Sequence, residues 1–154
     1  MGRVANFFGV ITVVVVVSSA QVIGAAEELP LNPAVTPQTT AETICVPGWT
    51  KTIRPPVSYT APIKRRLFDE YGLPPELMGD FQLDHVIPLA LGGAPSDPRN
   101  FQLMDQDEAE RKDDAERCLA RAVCAGRVGL NEAREAIWLD WKAAAKRLCV
   151  AKIF

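Results

Sequence analysis

The feature that most limits how this chain can fold is the stretch at residues 82–100, where two β-prone apolar runs flank a loop built on Pro88, Gly92-Gly93, Pro95 and Pro98. The runs at residues 81–87 and 100–104 read as strands. The connection between them is long for a hairpin, which marks it as a candidate functional loop. The first run carries Asp84-His85, and His85 is the one histidine in the 154 residues. Chemistry that needs an imidazole has a single place to happen.

Helices are expected around this pair of strands. One starts at Asp105 or Asp107 and runs to about Cys124, closed by Gly126. Its first turns hold Asp105, Asp107, Glu108, Glu110, Asp113 and Asp114, which suits the positive end of a helix dipole but exceeds what capping requires. The excess serves either solubility or a cation site. An earlier helix is expected from Thr60 as cap to Gly72, with Pro62 in its first turn and Ile63, Leu67, Phe68 and Tyr71 on one face. A last helix should begin with Asn131 as N-cap and bury Ala133, Ile137, Trp141, Ala144 and Leu148. Trp138 and Trp141 read as core rather than as a stacking platform. Two strands followed by a helix, with further helices on either side, give the α+β class.

Three segments are expected. Residues 1–26 have a short basic start, an uncharged apolar run and small residues before a cleavage point, the pattern of a secretory signal peptide; uncleaved, the same run could span a bilayer. Cleavage leaves no stable membrane association, and in both cases the rest of the chain lies outside the cytoplasm, periplasmic or secreted. Residues 27–44 hold Pro30, Pro33 and Pro37 with no hydrophobic period and read as a flexible linker. Residues 45–154 form the domain, opening with an irregular extended stretch around Val46-Pro47-Gly48-Trp49.

Cys45, Cys118, Cys124 and Cys149 are an even set in an exported chain, which argues for two disulfides, and no Cys-x-x-Cys pair with nearby histidines suggests zinc. Cys118 and Cys124 fall on different faces of one helix, which disfavours their pairing. Of the two schemes left, Cys45–Cys124 with Cys118–Cys149 is carried forward and the other stays open.

The signal segment removes one arginine from 17 basic residues and none of the 19 acidic ones, so the net charge moves from −2 to −3. That balance gives no strong general attraction to nucleic acid. Local charge is another matter, because Lys51, Arg54, Lys64, Arg65 and Arg66 concentrate positive charge ahead of the Asp-His pair. Such a run is usually a solvated face.

Asp84-His85-Val86-Ile87-Pro88, Gly92-Gly93 and Arg99-Asn100 resemble the HNH endonucleases, whose ββα-metal finger has a strand with Asp-His, a loop, an asparagine near the second strand and a helix with the last metal ligand. The signal segment, Cys45-Val46-Pro47-Gly48-Trp49, Val123-Cys124-Ala125-Gly126, Ala136-Ile137 and Asp140-Trp141 are similar to an exported branch of that superfamily. The resemblance implies a nuclease acting on nucleic acid, DNA before RNA. His85 would be the general base, with Asn100 completing the catalytic pair by fixing the loop, while Lys51, Arg54, Lys64, Arg65, Arg66 and Arg99 would contact phosphates. The family commonly places a histidine on the helix. Here Glu110 falls at that position, so Asp84 and Glu110 would hold the metal, with Asp107 or Asp114 as substitutes for Glu110. An all-oxygen set favours Mg2+ or Mn2+ over zinc. The alternative is a non-catalytic domain of the same fold, or a secreted binding or envelope domain, in which the acidic helix is merely solvated.

Overall fold

The structure, a computed structural model, describes residues 28–149. The signal segment expected at residues 1–26 lies outside the described residues. Strand β1 (Phe81–His85) pairs antiparallel with β2 (Phe101–Asp105), with Leu83 opposite Leu103 and His85 opposite Phe101. Among the described residues five α-helices flank this hairpin, so the domain is α+β. The first strand is two residues shorter than its sequence suggests, for a physical reason. Val86 N–H still reaches the Asn100 carbonyl at 2.9 Å, but Ile87 N–H is taken by the Asn100 side chain at 2.8 Å, and Pro88 has no N–H to offer.

A two-stranded ribbon is marginal in water and needs a covering element. Helix α3 (Gln106–Cys124) supplies it, following β2 without a break and packing against both strands. Asp105 ends the strand and caps the helix, its Oδ1 accepting from Asp107 N–H at 3.0 Å and Glu108 N–H at 3.4 Å. The buried face of α3 is Ala109, Lys112, Ala115, Leu119, Ala122 and Val123. A lysine stands in the middle of an otherwise apolar stripe.

Two helices precede the hairpin. Residues 49–53, expected to be extended, form α1 (Trp49–Ile53), and α2 (Val57–Glu70) starts three residues before Thr60. Pro56 is the residue at its cap, so Pro62 sits in the second turn rather than the first. Phe68 is the buried anchor of α2 and meets Phe81 edge to face at 5.5 Å. Tyr71, expected on the same face, lies beyond the helix and is exposed.

The stretch at residues 27–44, expected to be a flexible linker, is packed over its described part. Pro30 and Val35 are buried, Leu31 bridges Gly93, and Ala94 N–H donates to the Pro30 carbonyl at 2.8 Å. Its prolines punctuate a strap of turns and one short 3-10 helix whose partners are loop carbonyls and amides, which is why no hydrophobic period marks it. Arg134 locks the strap from the far side, donating from Nη2 to the Val35 carbonyl at 2.9 Å and from Nε to the Leu91 carbonyl at 2.7 Å.

The last helical region is α4 (Leu130–Leu139), α5 (Trp141–Ala144) and a π turn (Ala145–Cys149). One continuous helix was expected; Asp140 is extended instead and its carboxylate caps α5 at Lys142 and Ala143. Asn131 is inside α4, behind Gly129 at the cap. The disulfides are Cys45–Cys124 and Cys118–Cys149, tying the strap and the π turn to α3. With sequence separations of 79 and 31, loop closure alone assigns them roughly 4 kcal/mol each. Among the described residues no helix is long and apolar enough to cross a membrane.

Candidate active site

Asn100 sets the geometry of the loop. Fully buried, it accepts from Ile87 N–H at 2.8 Å and donates to the Ile87 carbonyl at 3.0 Å and the Ala94 carbonyl at 2.9 Å. Both limbs of the loop are thereby pinned to one side chain. Gly93 lies in the same crowded place, where a Cβ would collide with the Ile87 carbonyl. Asn100 holds the loop, since all its side-chain hydrogen bonds go to loop backbone.

The loop in turn holds His85. The residue is 7 % exposed, and its ring lies against Phe101 at 4.7 Å and has Nε2 at 3.1 Å from the Pro95 carbonyl. A carbonyl only accepts, so in the neutral ring Nε2 carries the proton and Nδ1 the lone pair. Every buried side-chain nitrogen and oxygen among the described residues has a partner. Nδ1 has no protein partner, so it is the edge through which the ring meets solvent. Burial lowers the His85 pKa below the usual imidazole range; the Pro95 hydrogen bond and Asp84 oppose this, while the charges of Arg54 and Lys112 add to it. His85 is therefore neutral at pH 7. Tyr59 Oη, from α2, donates to the Ser96 carbonyl at 2.8 Å and holds the loop beside Pro95.

Neighbouring strand side chains point to opposite faces, and Asp84 accordingly faces α3. There its Oδ2 meets Lys112 Nζ at 2.7 Å. The same ammonium donates to Glu116 Oε1 at 2.5 Å and to the His85 carbonyl at 2.8 Å. Lys112 is 1 % exposed and all three of its protons are used. Desolvation pulls its pKa down, but attraction to Glu116 and Asp84 prevails and the value is raised. Burial pushes Glu116 up to about 7; Lys112 opposes the rise, and the neighbouring negative charges of Asp84 and Asp113 add to it.

Glu110, expected to join Asp84, is exposed, and so are Asp107 and Asp114. The reason is rotational: Glu110 and Lys112 are about 200° apart around a helix. When Lys112 and Glu116 face the strand, Glu110 must face away. Asp114 is instead paired with Arg117. Lys112 and Glu116 are not among the residues the sequence pattern singles out, although a lysine in register with Ala109, Ala115 and Leu119 is the signal for them.

The expected phosphate contacts divide in two. Lys64 Nζ is spent on the Met78 and Phe81 carbonyls at 2.7 and 2.6 Å, Arg66 pairs with Glu70, and Arg99 pairs with Asp97 and reaches the Glu28 carbonyl. Lys51, Arg54 and Arg65 are exposed, and among the described residues no hydrogen bond or ion pair occupies their side chains. Of these, Arg54 acts electrostatically on His85.

A divalent metal does not fit this arrangement. The Asp84 oxygen facing the helix is occupied by an ammonium, Glu110 is elsewhere, and among the described residues no group of three or more His, Cys, Asp or Glu side chains is placed to hold a metal ion. No family model matches the chain, and no curated protein or solved structure does either.

Proposed function

We propose that this chain is an exported hydrolase of nucleic-acid phosphodiesters in which neutral His85 is the general base, on a hairpin-and-helix unit of the HNH type. The observation that carries the proposal is the His85 hydrogen bond to Pro95, which leaves the Nδ1 lone pair at the solvent edge of a ring that is otherwise buried. Water at that edge gives its proton to Nδ1 as its oxygen attacks phosphorus. The bond to the leaving oxygen breaks, and that oxygen takes a proton from solvent. Arg54, with Lys51 and Arg65, offers positive charge to backbone phosphates without reading sequence. Two disulfides fit an oxidising compartment. Purified oxidised protein should nick supercoiled plasmid, and His85→Ala should lose about 10²-fold or more of that activity while keeping the fold by circular dichroism. Cleavage that survives the substitution rejects the assignment.

The second reading, a non-catalytic domain of the same fold, is favoured by one observation: the Asp84 carboxylate is closed off by Lys112. It predicts binding without cleavage.

A further inference from the structure

Three oxygens from two elements converge on one point between β1 and α3: Asp84 Oδ2 and the His85 carbonyl from the strand and Glu116 Oε1 from the helix. An all-oxygen set of this kind, with two carboxylates, is what a hard cation takes. Here the Lys112 ammonium fills it, at 2.7 Å from Asp84 and 2.8 Å from the His85 carbonyl, distances of charge-assisted hydrogen bonds, and in closer contact still with Glu116. The position is sealed, since Lys112 is 1 % exposed and has no proton left to offer a ligand.

We infer that Lys112 is a built-in cation that takes the place of a metal ion, bracing strand to helix and positioning His85 through its carbonyl, so that the domain needs no divalent cation at Asp84. The side chain brings the cation at full occupancy whenever the chain is folded. Two carboxylates facing one another from β1 and α3 need such a counter-charge, and the neighbouring acid of α3, Asp113, only increases the need. The claim concerns binding and stability, so it holds or fails whether or not the protein cuts nucleic acid.

The test uses thermal unfolding and calorimetric titration of the oxidised domain with MgCl2 and MnCl2. Wild type should show the same Tm in chelator and in either salt, and no binding heat that Asp84→Asn removes. Lys112→Ala should unfold at lower temperature and acquire what wild type lacks: a Tm rise of roughly 5 °C with Mn2+, or with propylammonium, which restores the missing ammonium. Lys112→Met, which fills the space without charge, should gain neither. A Mn2+ site in wild type that Asp84→Asn abolishes overturns the inference. So does a Lys112→Met protein with wild-type Tm. If Lys112→Ala does not fold, the titration of wild type and of Asp84→Asn decides alone.

Discussion

Lys112→Met gives the inference its sharpest energetic form. The change keeps an unbranched apolar stem and removes one positive charge from between two carboxylates. Their oxygens each touch the same nitrogen, at 2.7 and 2.5 Å, so they lie at most about 5 Å apart. Two unit charges at that distance repel by about 3 kcal/mol at an effective dielectric constant near 20. The His85 carbonyl also loses its donor, worth about 1 kcal/mol. Relief comes from Glu116, which is already held up to about 7 and takes a proton readily. The net loss should be about 3 kcal/mol, at the lower end for breaking a buried pair. Urea unfolding followed by tryptophan fluorescence at pH 7, with disulfides intact, measures it. Adding Glu116→Gln to Lys112→Met should return about 2 kcal/mol, because the repulsion disappears with the carboxylate. The pH dependence has a fixed sign. A carboxyl whose folded pKa is raised binds more protons folded than unfolded, so in wild type stability falls as pH rises from about 4.5 to about 7, and Glu116→Gln should flatten that slope. A Lys112→Met loss below about 1 kcal/mol, the size of an exposed ion pair, would refute the reasoning.

If His85 is the base, hydrolysis should rise with pH through a midpoint below 6.5 and be level by neutrality, because the lowered pKa leaves the ring neutral early. The same shift makes the folded state the poorer proton binder, so stability should be full above 6.5 and fall as pH drops through the folded pKa, a slope that His85→Ala removes. Asn100→Ala strands Ile87 N–H, the Ile87 carbonyl and the Ala94 carbonyl in a buried place, and should cost about 3 kcal/mol in urea unfolding; an unchanged midpoint contradicts the positioning role.

The parts of the fold that were legible in the sequence are those set by local rules. Leu83 and Leu103 lie in β-prone runs and face each other in the hairpin. Asp105 caps α3, and Gly126 ends it with a positive φ. Elements set by distant partners were not legible. The strap at Pro30 and Val35 is ordered by Gly93, Ala94 and Arg134, none of which its own sequence announces. At Asp140, local capping of α5 outcompetes helix continuity although the buried stripe runs through the break. The site divides in the same way. Asp84, His85 and Asn100 stand out within one stretch of the sequence, whereas Glu110 follows from the family resemblance alone, which does not fix the rotation of α3. The buried stripe fixes it: with Ala109, Ala115 and Leu119 inward, Lys112 must be inward too, and a buried lysine needs carboxylates.

That rotation also constrains how the site could work. A metal ion can brace two elements and still keep open positions for a phosphate and water. An ammonium with three protons committed to Asp84, Glu116 and the His85 carbonyl has no such position, so bracing and ligand contact must fall to different residues. The positive charge left for a substrate is on the solvent side, where Arg54 already acts on His85, and Lys51 and Arg65 are uncommitted. Arg54 and Lys112 both add to the lowering of the His85 pKa, one from the surface and one from the interior. The two cations thus favour the same neutral imidazole, and on the proposed reading Arg54 meets the ligand while Lys112 braces the fold. Removing Arg54 should weaken ligand contact without loosening the fold, whereas removing Lys112 should loosen the fold without exposing any group that touched a ligand.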